Sequence, residues 1–148
     1  MLEVFSGRSL SGRLVYRQSE YSLDTEPQPV GGQASLLVND VKLELDRDGQ
    51  LLYVWGYCPK ESWSAANLEL PAAVDARLRW NGMPIAVGTA KRLNDSERWP
   101  VLYDAQKLRL RIGIAANADH CVVFAPGAVA ELINGRLSSL WLALDAIV

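Results

Sequence analysis

Hydrophobic and polar positions alternate with a period of two along most of the chain, the mark of strands with one face turned inward. In "VKLELDRDGQLLYVWG", Val41, Leu43 and Leu45 alternate with Lys42, Glu44 and Asp46, and the run reverses at Asp48-Gly49. That dipeptide supplies the positive φ angles of a two-residue type I′ turn. The turn predicts Leu45 opposite Leu52 and Leu43 opposite Val54 on a purely aliphatic face. On the other face Asp46, Glu44 and Lys42 meet Leu51, Tyr53 and Trp55.

"ARLRWNGMPIAV" reads as a second hairpin. With Asn81-Gly82 as its turn, Trp80 lies opposite Met83, Leu78 opposite Ile85 and Ala76 opposite Val87, and Arg77 and Arg79 occupy the reverse face. Pro84 has no N–H to give to a ladder, so its strand lies at an edge or turns that position outward. Residues 107–115, "KLRLRIGIA", alternate again, and "CVVFA" (121–125) is the apolar run of a buried strand. Residues 12–23 read as one more strand. "PGAVAELING" predicts a short helix between Pro126 and Gly135, and "RLSSLWLALDAIV" fits a strand by its Leu and Trp content or a helix by the spacing of Leu137, Leu140, Trp141 and Leu144, the strand being preferred. Residues 24–33, with two prolines and a Gly-Gly pair, form a loop or an extended crossing segment.

No internal repeat, low-complexity tract or interdomain linker is visible. Roughly six to eight strands joined by short turns predict a mainly β chain. The expected fold is a single β-rich domain over residues 1–148, an antiparallel β-sandwich or partly closed β-barrel built from hairpins, with one short helix near the C-terminus.

Composition agrees with this class. A chain of 148 residues, 49% hydrophobic and 22% charged, can bury a core without a metal or disulfide staple. The first residues lack the basic and apolar regions of a secretory signal, and no window approaches about 18 uninterrupted apolar residues. A cytoplasmic protein with no membrane segment is expected, and Cys58 and Cys121 are then reduced, buried thiols.

The net charge of −2 hides an asymmetry. Residues 1–76 carry six Lys/Arg against eleven Asp/Glu, whereas residues 77–111 carry eight against three. Arg77, Arg79, Lys107, Arg109 and Arg111 all fall on the polar faces of two predicted strands. If those strands were neighbours they would form one cationic, anion-binding surface. A single-strand nucleic-acid site places aromatic rings among such charges, and here the aromatics fall on another hairpin. Nucleic acid is the third-ranked partner.

Catalytic templates are missing. The only histidine, His120, adjoins Cys121, but neighbours on a strand point to opposite faces, so they cannot act as a nucleophile and base. Cys58 with His120 could do so only if the fold joined them. Cys58, Asp119, His120 and Cys121 lack the paired spacings of structural zinc sites. There is no phosphate loop, dinucleotide fingerprint or serine elbow. "DRDG" resembles a fragment of a calcium loop but serves as a turn, and Asn94-Asp95-Ser96 matches a glycosylation acceptor only formally. No cofactor or metal is implied, and an enzyme using two converging carboxylates is the weaker expectation.

What remains is aromatic. Tyr53, Trp55 and Tyr57 share one side of a strand, Trp63 follows after Pro59, and Lys42 lies across from Trp55. Such a row is either a contact surface or a face covered by a second layer. Large rings left open would make a patch that monomers seldom leave unused, and the facing Lys42 and Glu44 resist burial. The leading expectation is a non-enzymatic protein-binding module, adaptor- or immunity-protein-like, using Tyr53, Trp55, Tyr57, Trp63 and Lys42. The alternative is a β-barrel small-molecule binder or small enzyme with an internal pocket, and assembly with further copies of the chain is compatible with either.

Overall fold

One apolar row runs straight across three adjacent strands: Leu36 pairs with Leu43, and Leu43 with Val54. All three side chains are buried, and they face a second row formed by Val122, Ala130, Leu140, Ile112 and Val101. Burial of each leucine or valine contributes roughly 1.5–3 kcal/mol, so these rows set where the sheets meet.

A computed structural model describes every residue except 96, 115 and 116. Its first strands are β1 (Leu2–Phe5), β2 (Arg13–Arg17), β3 (Ser22–Glu26), β4 (Ala34–Val38), β5 (Val41–Leu45), β6 (Leu51–Tyr57), β7 (Trp63–Ala65) and β8 (Val74–Asp75). Then follow β9 (Arg77–Trp80), β10 (Ala90–Arg92), β11 (Val101–Asp104), β12 (Arg109–Gly113), β13 (His120–Ala125), β14 (Ala128–Ile133), β15 (Arg136–Ala143) and β16 (Ala146–Ile147). The order β10-β4-β5-β6-β3-β2-β16 forms one seven-stranded sheet and β7-β11-β12-β15-β14-β13-β8 the other, with β1 and β9 as a separate pair. Neither sheet closes on itself, so the sandwich expectation holds and the barrel does not. The number of strand segments exceeds the expectation partly because the edges carry two- and three-residue strands, β7, β8, β10 and β16, too short to alternate. All four join their sheets in parallel, beside an antiparallel interior. Among the described residues no helix is long and apolar enough to cross a membrane.

Several local expectations need correction. The helix over residues 126–135 is a strand: Pro126-Gly127 is the turn between β13 and β14, and Asn134-Gly135, both at positive φ, turns β14 into β15. Its alternation was masked because Val129 and Glu131, on the outer face, are buried as fully as Ala128, Ala130 and Leu132 on the inner one. Residues 12–23 are not one strand but the start of a hairpin, β2 and β3, turning through residues 18–21 with Tyr21 at φ 52°. No Gly, Pro or Asn announced it. β12 begins only at Arg109, with Lys107 in the preceding turn and Leu108 at φ 54°, and residue 115 lies outside the described residues.

The Asn81-Gly82 hairpin does not form. β9 pairs with β1 instead, and Asn81 N donates to Met1 O at 2.7 Å. Pro84 denies the returning chain a ladder donor, and Met83 and Val87 are left exposed. Gly82 is needed for contact rather than for turning, since a Cβ there would fall 2.4 Å from the Trp80 ring. In the β5–β6 hairpin, Lys42, Glu44 and Leu43 meet Trp55, Tyr53 and Val54 as expected. Its loop, however, has three residues, with Gly49 alone at positive φ (81°), and the extra residue shifts the register so that Leu45 meets Leu51.

Contrary to the sequence reading, the chain contains an internal structural repeat. β2–β6 occur in their sheet in the order β4-β5-β6-β3-β2, and β11–β15 in theirs in the order β13-β14-β15-β12-β11. Tyr16 pairs with Leu23 as Tyr103 does with Leu110, and both following turns end on a left-handed residue, Tyr21 or Leu108. Register shifts fall at Glu44/Leu45 and at Glu131/Leu132. The last strand of each unit crosses over: β7 pairs with β11, and β16 with β2. The repeat makes the outer faces of the two sheets comparable residue by residue.

Candidate functional site

On the outer face of the first sheet, Glu44 is the fixed point. It is buried, and its Oε1 accepts from Ser35 Oγ at 2.8 Å and Trp55 Nε1 at 2.9 Å, so strands on both sides are tied to one carboxylate. The loop after β3 closes over this end: Gln28 Nε2 donates to Tyr53 Oη at 2.8 Å, and Gly32 abuts Glu44 so closely that a Cβ would lie 2.5 Å from its carboxylate. Tyr53 is consequently only 4% exposed, and burial, then the nearby Glu44, raises its phenol pKa.

The aromatic row is therefore graded. Tyr53 is sealed, Trp55 is half-buried with Lys42 Nζ 4.3 Å from its ring, and Tyr57 is 49% exposed. Tyr57 meets Tyr21 edge-on at 6.4 Å, and Tyr21 is 46% exposed. Trp63 does not join them: it packs between Tyr16 at 4.8 Å and Tyr103 at 4.7 Å, against the core.

Tyr57 and Asp40 form a ridge shared by two open depressions. One, of about 640 Å³, lies over Trp55 between Leu37 and Lys42 on one side and Glu20 and Asp24 on the other. The second, of about 460 Å³, runs past Cys58 to Trp99 and Pro100. Its far wall is locked to the β4–β5 turn, because Asn39 N donates to Asn94 Oδ1 at 3.0 Å while Asn94 Nδ2 returns a bond to Asn39 Oδ1 at 2.8 Å. Asn94 is thus buried and engaged, and Ser96 of the formal acceptor motif lies outside the described residues. Asp40 is paired with Arg98.

Chemistry is not concentrated here. Cys58 is buried, which pushes its thiol up to about 11 and keeps it protonated. His120 is exposed on β13 of the other sheet, and both cysteines are free, Cys121 being only half-buried rather than fully so. Among the described residues no group of three or more His, Cys, Asp or Glu side chains is arranged to hold a metal. The Asp46 carboxylate of "DRDG" accepts two backbone N–H groups, from Asp48 and Gln50, both at 2.9 Å, which makes it a turn.

The basic row is dispersed. β9 and β12 lie in different sheets, so the condition for one cationic surface is not met. Arg77 donates to Leu51 O, Arg79 pairs with Glu3 at 3.0 Å, Lys107 pairs with Glu69, Arg109 donates to Leu68 O, and Arg111 lies 5.4 Å from the Trp141 ring. Sequence reasoning missed Tyr21, Glu20, Asp24 and Leu37. The polar run Gln18-Ser19-Glu20 was the one signal of a turn that would deliver Tyr21 beside Tyr57.

No family model, curated relative or solved structure matches the chain. The geometry therefore carries the functional reading alone.

Proposed function

We propose that the protein is a non-enzymatic protein-binding module, adaptor- or immunity-protein-like, that contacts its partner through Trp55, Tyr57 and Tyr21 with Lys42 beside them. The observation that carries this reading is the exposed Tyr21–Tyr57 pair, with Tyr57 on the ridge between two depressions. Tyrosine suits a surface that is wet when free and covered when bound, because it offers a broad apolar ring with a polar tip. The tightly packed rows between the sheets support an outer contact over an internal ligand site. The dispersal of the five basic residues over separate sheets, with Arg79 and Lys107 each paired to a carboxylate, supports protein over nucleic acid.

The test is capture from a lysate of the source organism at low and moderate salt, with wild type and a Tyr21→Ala/Tyr57→Ala double variant of matched urea stability. One stoichiometric protein retained at both salts by wild type and lost by the variant is expected. Equal retention by the variant overturns the assignment of the surface, and nucleic acid released by moderate salt moves the function to the basic residues.

A further inference from the structure

Of the two outer faces related by the repeat, one is covered and the other is open. Beyond β7 the chain turns back over the second sheet. Ala66 N donates to Tyr103 O at 2.9 Å, Leu68 N to Asp104 Oδ2 at 2.9 Å, and Arg109 Nη1 to Leu68 O at 3.2 Å. Leu68 ends 3% exposed, packed on Val129 and Trp141 with Val123 alongside, and the next residue, Glu69, pairs with Lys107.

Strand register identifies the same positions on the first sheet. Val123 pairs with Val129 and Val129 with Trp141; in the other unit Leu37 pairs with Lys42 and Lys42 with Trp55. Arg111 flanks Trp141 in register, and Asp24 lines the groove beside Trp55. The residues that receive Leu68 on the covered face thus correspond to those that line the 640 Å³ groove on the open one.

Charge is inverted between the two. Lys107 is the third residue of its turn and Glu20 the third of the equivalent turn, while Arg109 and Arg111 correspond to Ser22 and Asp24. The covered face carries Lys107, Arg109 and Arg111 around a segment bearing Glu69, while its own Asp104 and Glu131 are engaged in hydrogen bonds. The open face is lined by Glu20, Asp24, Asp40 and Lys42; Asp24 and Asp40 are paired with Arg17 and Arg98, and Glu20 stands at the position of Lys107.

We infer that the groove over Trp55 binds an extended segment of a partner protein in which a leucine-sized aliphatic residue is followed by lysine or arginine, lying as residues 66–70 lie over Trp141. This deepens the protein-binding reading and rests on it. Arg17 stands where Asp104 does and is bonded to Asp24 at 2.6 Å, so it offers the segment no backbone acceptor. Side-chain burial and charge alone hold the occupant, which makes its binding reversible where the covered face is permanently closed.

The test titrates the isotope-labelled full chain with a peptide of residues 64–72 carrying Glu69→Lys, and with the unchanged peptide. Saturable movement of the Trp55 indole signal is expected with the lysine peptide, with affinity roughly ten-fold above that of the glutamate peptide. The Glu20→Lys variant, altered at an exposed side chain outside the core, should lose that preference. Indistinguishable affinities, or no movement at Trp55, overturn the inference. So does concentration-dependent self-association that moves Trp55 without peptide, because the occupant is then a second copy. If peptides fail while a Tyr21- and Tyr57-dependent partner is still captured from lysate, the segment is wrong and the binding role stands.

Discussion

Trp141 donates its indole N–H to the Glu131 carboxylate at 2.5 Å, in the covered interior of the second sheet's outer face. The same oxygen accepts Ser139 Oγ at 2.7 Å, so one buried carboxyl group satisfies two donors. Glu131→Ala strands both and should cost roughly 3 kcal/mol or more, while Glu131→Gln keeps an acceptor and should cost less. Glu44 plays the corresponding role beneath the half-open Trp55, where water can replace a lost partner. Glu44→Ala should therefore cost only about 1–2 kcal/mol. Urea denaturation of the three variants checks the order, and a larger loss for Glu44→Ala would contradict it.

Buried and exposed tyrosines should separate cleanly. Tyr16 is fully buried, donates its hydroxyl to Cys58 O at 2.8 Å and packs against Trp63, so Tyr16→Ala should cost about 3–5 kcal/mol. Tyr21→Ala and Tyr57→Ala remove exposed rings and should each cost less than about 1 kcal/mol. Thermal or urea unfolding decides it. A large loss at Tyr57 would mean that the ring is structural and the proposed surface misassigned.

Explicit turn chemistry succeeded once and failed once: Asp48-Gly49 located the β5–β6 hairpin, and Lys42, Leu43 and Glu44 found their partners, whereas after Asn81-Gly82 the chain does not return to β9, which pairs with β1. Agreement failed where burial on both faces erased alternation, as in "AVAELI", and where a turn used Tyr21 rather than glycine. The repeat was hidden for a related reason. "ELDRDGQLLYVW" and "ELINGRLSSLW" share Glu-Leu, Gly and Trp, but the first loop is one residue longer, and Tyr53 against Ser139 or Lys42 against Val129 leaves little identity. Aromatic spacing marked Trp55 and Tyr57 correctly as neighbours. It could not reveal that Gln28 and Gly32 would seal Tyr53, or that Trp63 would insert between two tyrosines, because both depend on segments far away in the chain.

Thiol reactivity should divide the two cysteines. Burial raises the Cys58 thiol to about 11 and raises Cys121 more modestly, with Glu131 adding to the effect. The thiolate is the reactive form, so at pH 8 a thiol reagent should modify Cys121 first, and Cys58 only at the rate of unfolding. Mass spectrometry of the labelled sites reads this directly. Rapid native labelling of Cys58 would show that the depression beside it opens to its floor.

Acid should loosen the segment that covers Trp141. Asp104 accepts the backbone N–H of Leu68 at 2.9 Å and those of Gln106 and Lys107 at 3.1 and 3.2 Å, and these bonds hold its carboxyl below the ordinary carboxylate value. A carboxyl whose value is depressed by folding adds stability that is complete above the unfolded value and disappears as pH falls through the folded one. Glu69 is lowered in the same direction by Lys107, but from a fully exposed position where solvent screens it. Between pH 7 and pH 3 the urea midpoint of wild type should therefore drop further than that of Asp104→Asn, and the two should converge at the acid end. Asp104→Asn at pH 7 should also raise the solvent exposure of the Trp141 indole, because Leu68 loses the acceptor that fixes it. Equal pH dependence in the two proteins would show that the cover is held by the burial of Leu68 alone.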